Sequence, residues 1–248
     1  MTAGGTGYEQ IRLTLDAVSG QEGILLVPYG ARAAATSDLV LVAHGAGQDA
    51  AMVLGSDWDT TRDAMLDAGY LVCAHDADSA AWGTTSSQDA YVEMVQWVSS
   101  YLPVNRLAIV GQSMGCQAGL LLAANDRFSN LAGVAGIAGV CDLAAAYAVD
   151  VTFTNQIDTA YSIGDYATAT SGHDPILRDS ADYTGLRLRW YASDADPLVP
   201  KADHADAMAA HVASVATEYG VVEVTGGHVS SDHYQVADLS SFLSRCFP

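Results

Sequence analysis

Arg106 to Asn125 reads RLAIVGQSMGCQAGLLLAAN. An apolar, strand-like run, Leu107-Ala108-Ile109-Val110, meets Gly111-Gln112-Ser113-Met114-Gly115 and passes at once into an alanine- and leucine-rich helical run. The pattern predicts a strand, a sharp turn and a helix, with Ser113 at the apex. A serine on so tight a turn carries a strained backbone, and glycine is needed two residues before and two residues after it, because a Cβ at either place would collide with neighbouring backbone. The same geometry pushes the hydroxyl out of the sheet. It also leaves the Met114 N–H at the positive end of a helix, where developing negative charge is favoured.

Outward from this stretch, strand-like and helical patterns alternate. Tyr8 to Val18 alternates through Ile11, Leu13 and Leu15, as a half-buried strand does. Gly23 to Tyr29 is a second strand, and Pro28 near its end suits a sheet edge. Leu39 to Ala43 and Tyr70 to Ala74 are continuous apolar runs of the kind expected in strands covered on both faces. After the serine stretch come Leu131 to Val140, slim because its glycines allow close packing, then Leu186 to Tyr191 and Val221 to Val224. Helices are expected at Trp58 to Ala68, Ser87 to Tyr101 (stopped by Pro103), Lys201 to Thr217, and His233 to Arg245 with Leu239, Phe242 and Leu243 on one side. Residues 142 to 185, rich in Ala, Thr, Tyr and Asp, show no clear period. The expectation is an α/β protein with a mostly parallel, doubly wound sheet of about eight strands and helices on both faces, residues 1–248 forming one domain. The first two strands are too close for an intervening helix and should pair antiparallel at one edge. In such sheets the reactive groups lie beyond the carboxyl ends of the strands.

Composition narrows the partners. There are 29 acidic side chains against 10 basic ones, a formal charge of −19, and Lys201 is the only lysine. Such a surface repels nucleic acid and anionic membrane, which are bound through Lys/Arg clusters. No uncharged stretch is both long and apolar enough to span a membrane, so no membrane insertion is expected. Met1 to Tyr8 shows no basic segment followed by an apolar run, so no secretory leader is visible. A cytoplasmic location is then the default, with an extracellular or virion-associated one still open. Cys73, Cys116, Cys141 and Cys246 are scattered, without the spacing of a zinc or redox site. Cys73 and Cys116 sit in apolar contexts and read as buried thiols; Cys246 could close a disulfide if the protein resides outside a cell. His75 and Asp76 end a strand at the expected active edge, but no third ligand stands at suitable spacing, and neither a metal nor a cofactor is expected.

Acyl transfer by serine needs a base, a carboxylate to orient it, and donors for the oxyanion. The chain offers Ser113; Asp196 in Asp196-Pro197-Leu198-Val199-Pro200, after a strand; and His228 in Thr225-Gly226-Gly227-His228, after the last strand. Alternatives stand beside them. His233, in Ser230-Ser231-Asp232-His233-Tyr234, could serve as base but reads as a helix start. Asp194 or Asp142 could replace Asp196. His44 reads as a brace for its own loop, and His204 and His211, on the expected Lys201 to Thr217 helix, as solvated side chains.

The serine turn, the His44-Gly45-Ala46-Gly47 loop, the D-x-x-V-P stretch at Asp196 and the G-G-H stretch at His228 together resemble the serine hydrolases of the α/β-hydrolase fold. The resemblance implies Ser113 as nucleophile, His228 as general base and then acid, and Asp196 as the group that fixes the histidine tautomer. It implies Ala46 and Met114 as backbone oxyanion donors, with Gly45 and Gly47 glycine so that the backbone can approach the substrate. It further implies an esterase working through an acyl-enzyme, with residues 144–185 as a cap after the sixth strand. With Tyr147, Phe153, Tyr161 and Tyr166 among Thr and Asp, that cap is fairly polar, which favours a soluble or moderately sized ester, free or polymer-borne, over long-chain fat. Trp82 either lines the pocket or packs its loop. The stretch from Trp82 through Ser86-Ser87-Gln88-Asp89-Ala90-Tyr91 resembles, over few residues, hydrolases of actinobacteria and their phages, some of which act on envelope esters. A peptidase or amidase with the same three residues, or a silent binding module on the same scaffold, are the other readings.

Overall fold

The computed structural model describes residues 1–15 and 20–248. Its strands are β1 (Tyr8–Thr14), β2 (Glu22–Pro28), β3 (Ser37–Ala43), β4 (Leu71–His75), β5 (Val104–Gln112), β6 (Leu131–Ile137), β7 (Arg187–Ser193) and β8 (Glu218–Val224). They form one sheet in the order β1-β2-β4-β3-β5-β6-β7-β8. β1 and β2 are antiparallel to each other and β2 to β4; every other pairing is parallel. This is the mostly parallel, doubly wound architecture read from the alternating pattern. Val18, assigned to the first strand from its alternation, lies outside the described residues.

The continuous apolar strands are buried on both faces because each alternates between two cores. Leu39 and Leu41 of β3 with Leu107 and Ile109 of β5 face α2 (Thr85–Tyr101) and α3 (Met114–Ala124). Val40, Val42, Ala108 and Val110 face the other way, toward α1 (Asp59–Asp67) and α8 (Val236–Cys246), which bring Met65, Leu66, Leu239, Phe242 and Leu243. β6 can lie close to α3 because of its glycines: a Cβ on Gly136 would sit 2.6 Å from Cys116 Sγ. All four cysteines are buried free thiols. No helix among the described residues is long and apolar enough to cross a membrane.

Several boundaries and one placement differ from expectation. β2 is an interior strand, and β1 is the edge. Pro28 is tolerated because β4 pairs only with Gly23–Leu26, so its missing N–H falls past the ladder. The expected Lys201–Thr217 helix is a π-type turn (Ala202–Asp206) followed by α7 (Ala207–Val212). It stops there because β8 begins at Glu218, paired with Arg187, and Thr217 N–H already bonds the Leu186 carbonyl. The last helix starts at Val236, and His233 belongs to the short turn before it.

Residues 142–185, without a readable period, contain three short helices: α4 (Leu143–Val149), α5 (Val151–Tyr161) and α6 (Tyr166–Ala169). Each starts on an aspartate whose carboxylate takes a backbone N–H of the first turn: Asp142 from Ala145, Asp150 from Thr152 and Asp165 from Thr168. Leu143, Ala146, Phe153 and Ile157 of α4 and α5 close over Trp82, Met114 and Val199 in a third apolar cluster.

Phe242 has no exposed surface. Phe242→Ala is expected to lower folding stability by about 3–5 kcal/mol, read as a shift in the urea unfolding midpoint with an unchanged slope.

Candidate active site

β5 ends at Gln112, and Ser113, with φ 50° and ψ −116°, turns the chain into α3. A non-glycine residue so placed costs of order 1–3 kcal/mol and persists only where its surroundings over-determine it. Here they do. Ser113 N–H donates to the Ile137 carbonyl (2.9 Å), and its own carbonyl accepts from Cys116 (3.1 Å) and Val140 (3.0 Å). A Cβ on Gly111 would lie 2.4 Å from Cys116 N, and one on Gly115 would lie 2.1 Å from the Ala43 carbonyl oxygen. Both neighbours are backbone, so neither can yield.

At the carboxyl ends of β7 and β8 the structure brings Asp196 and His228 to this serine. His228 Nε2 is 3.0 Å from Ser113 Oγ, and Nδ1 is 2.8 Å from Asp196 Oδ2. The Nδ1–H donates to the carboxylate, which leaves Nε2 as an acceptor for the serine O–H. The other Asp196 oxygen accepts from Leu198 N–H (2.9 Å) and Val199 N–H (3.0 Å). Burial alone would raise the Asp196 pKa; the bonds from His228, Val199 and Leu198 outweigh it and hold the carboxyl below its ordinary value. Ser113 is 4% exposed.

The His44–Gln48 loop runs alongside. A Cβ on Gly45 would fall 2.9 Å from Gln48 Oε1, 3.1 Å from Gln112 Nε2 and 3.5 Å from Ser113 Cβ, so it is the packing of these side chains that excludes one. Gly47 is glycine for a different reason. It is exposed, with φ +78° and nothing within 4 Å of an added Cβ, so its backbone conformation rather than close approach requires it. The His44 ring spans the Gly45 and Asp76 carbonyl oxygens, 2.8 Å from each, and braces the loop to the end of β4. Among the described residues no protein acceptor takes the N–H of Ala46 or of Met114, the first residue of α3.

Two glutamines absent from the sequence-level constellation hold this loop in place. Gln112 Oε1 accepts from Trp58 Nε1 (3.2 Å) and Tyr234 O–H (2.8 Å), which fixes its amide so that Nε2 donates to Gln48 Oε1 (2.7 Å). Gln48 Oε1 also accepts from Gly45 N–H (3.0 Å). The relay joins the serine turn, the glycine loop and the segment after His228. Its only trace in the sequence is a glutamine beside each glycine motif.

The competing candidates are engaged elsewhere. Asp194 pairs with Lys201 (3.4 Å), and Asp142 caps α4. His233 is wholly buried, its Nδ1 3.1 Å from Ser230 Oγ. His204, expected in solvent, is buried: its Nδ1 accepts from Cys141 N–H (3.2 Å) and Asp142 N–H (3.1 Å), and burial pushes its pKa down to about 4. It pins the corner between β6 and α4. His211 is half-buried, with Nε2 3.1 Å from the Arg178 carbonyl oxygen. His75 Nδ1 accepts from Ala77 N–H, and no group of three metal-ligating side chains occurs among the described residues. Trp82, of the two roles open to it, takes the packing one. Its ring is fully buried against Phe153 (centroids 4.9 Å apart), and Nε1–H donates to Gln156, so it offers no face to a substrate.

Solved structures share this arrangement of strands and helices. An esterase from Pyrococcus furiosus matches with a TM-score of 0.70 at 14% identity, over 98% of this chain and 92% of its own. An esterase from Rhizomucor miehei matches with 0.72 at 14% identity, over 98% and 83%. An acylaminoacyl peptidase from Pyrococcus horikoshii matches with 0.75 at 11% identity, over 96% of this chain but only 41% of the peptidase. No protein-family model matches the chain, and comparison by sequence with curated proteins finds no match. The chain has the α/β-hydrolase fold.

Because the folded-state pKa of Asp196 is depressed, its contribution to stability is present above its unfolded value, near 3.9, and is lost as pH falls through the folded one. The stability advantage of the native chain over Asp196→Asn is therefore expected to hold from pH 7 to about 5 and to shrink below about pH 4, read by urea unfolding across that range.

Proposed function

We propose that the protein is a serine hydrolase that cleaves carboxylic esters through an acyl-enzyme on Ser113, with residues 144–185 as a cap on a single domain. One observation carries this reading: the unbroken path from Ser113 Oγ through the imidazole of His228 to Asp196, set beside two backbone N–H groups that have no protein acceptor among the described residues. In this mechanism His228 Nε2 takes the Ser113 proton as Oγ attacks the ester carbonyl. The oxyanion is received by the N–H groups of Ala46 and Met114, the latter at the positive end of α3. Asp196 keeps the Nδ1 proton in place and stabilises the imidazolium as it forms. His228 then gives its proton to the departing alcohol. Water attacks the acyl-enzyme with His228 again as base, and free Ser113 and the acid result.

The esterase matches favour an ester over an amide, because they align along most of their own lengths, whereas more than half of the peptidase has no counterpart here. The complete path of hydrogen bonds speaks against a silent binding module. Phe153 of the cap stands edge-on to the His228 ring, with centroids 6.4 Å apart, and the polar residues around it in the cap fit a small or moderately sized ester better than long-chain fat.

Ser113→Ala is expected to reduce kcat on p-nitrophenyl acetate by about 10⁶-fold while leaving the unfolding midpoint in the native range; wild-type rates in this variant would refute the reading. Gln48 is a positioning residue whose role is to accept. Gln48→Glu, which keeps both acceptor bonds, is expected to retain kcat within about threefold, whereas Gln48→Leu should lower kcat by about 10–100-fold with little change in KM, a partial loss of the contribution one oxyanion donor makes. Equal kcat values for the two variants would count against that role.

A further inference from the structure

A cavity of about 630 Å³ lies apart from Ser113, His228 and Asp196, none of which lines it. It lies between the loop after β4 and the cap helix α5, walled by Asp78, Ser79 and Thr84 on one side and Thr152, Asn155 and Thr159 on the other. Its volume is that of a ligand-sized site. The loop wall is held in an unfavourable conformation: Ala77, Asp78 and Ser79 have φ of 42°, 62° and 60°, and Trp82 has 47°. Asp76 over-determines it, accepting from Ala50 N–H (2.9 Å) and Glu22 N–H (2.6 Å), while Ala77 N–H is taken by His75. The opposite wall is tied to the same loop from beneath, since Trp82 Nε1–H donates to Gln156 and its carbonyl accepts from Tyr161 O–H (2.6 Å). The cleft is thus preformed and fastened to the active-site surroundings. Ala80 of its wall packs in the apolar cluster with Ala46 and Met114, and Thr152 adjoins Phe153, the neighbour of His228.

From the chemistry of this lining we infer that the cleft is a subsite for an uncharged, polyhydroxylated portion of the substrate, a sugar residue. The inference rests on the esterase reading and names its substrate class. Hydroxyls and amides supply donors and acceptors of both kinds, and the side chains of Ser79 and Asn155 make no bond to another described residue. An acyl chain laid there would cover these polar groups without bonding them, a cost that a hydroxylated ligand does not bear. An anion would meet Asp78, no lining cation and a chain of net charge −19. A sugar satisfies the hydroxyls and the Asn155 amide, and its C–H face can rest on the methyl groups of Ala80, Ala81 and Ala160.

The test compares 6-O-acetylglucose and 6-O-acetylmannose with cyclohexylmethyl acetate, which has the same acyl group on an alcohol without hydroxyls. The wild type should prefer at least one acetylated sugar by about tenfold in kcat/KM, and the double variant Thr152→Val, Asn155→Leu, altered only at exposed positions, should bring that ratio close to one. Saturation-transfer NMR of the same sugars on Ser113→Ala protein should show contact that the double variant loses. Ser113-dependent turnover of p-nitrophenyl acetate with no preference for either sugar ester, and no saturation transfer, would overturn the subsite and leave the esterase reading intact. Absence of all ester turnover with saturation transfer retained would strike the esterase reading and support the ligand class of the cleft.

Discussion

The approach of α3 to the ends of β3 and β6 is the constraint on which the rest depends. Gly115 brings the helix so near β3 that even one methyl group would sit 2.1 Å from the Ala43 carbonyl oxygen, and Cys116 fills the space left by Gly136 and Gly139. With the helix there, Ser113 has no room for an ordinary backbone conformation and is held at φ 50° by bonds to Ile137, Cys116 and Val140. Strain of this kind is stable only because sheet, helix and the strand exit after β6 all fix the same residue. It also aims one hydroxyl outward and leaves beside it one helical N–H with no protein acceptor among the described residues.

Everything brought to that point comes from the carboxyl edge of the sheet. β3 delivers the glycine loop, β7 the Asp196 turn and β8 the His228 turn. Each is secured by its own short-range bonds: Leu198 and Val199 on Asp196, Asp76 on His44, and the two glutamines between the serine turn and the loop. The Gln112–Gln48 relay has a definite direction, since the donors Trp58 and Tyr234 settle which end of each amide points where. Gly45 N–H is taken by Gln48, and among the described residues no protein acceptor takes the next amide along the loop, that of Ala46.

Much of this was legible in the sequence for a physical reason: a tight strand-to-helix turn around serine demands glycine at fixed places, and a doubly wound sheet forces reactive groups to strand ends. Ser113, Asp196 and His228 could therefore be picked out although 115 residues separate the first from the last. What was hidden depends on partners distant in sequence. The glutamine relay exists only once β3, β5 and the segment around Tyr234 meet. His204 reads as solvated on a regular helix from Lys201; the chain instead forms a π-type turn over Ala202–Asp206, in which the ring is buried at the β6–α4 corner. Pro28 looked like an edge residue because sequence does not show how far a neighbouring strand extends. The helices of residues 142–185, of 7, 11 and 4 residues, are too short to show a clear period, though Asp142, Asp150 and Asp165 mark their starts as capping residues.

What this geometry supports is the proposed covalent acylation of Ser113. Rapid mixing with p-nitrophenyl acetate, quenching in acid within the first turnover, and peptide mapping by mass spectrometry would test it most directly. The account predicts a single acetyl group on the peptide carrying Ser113, formed at the rate of p-nitrophenol release. Release of p-nitrophenol with no acetyl group on Ser113, or with the acetyl group on another side chain at the same rate, would contradict it.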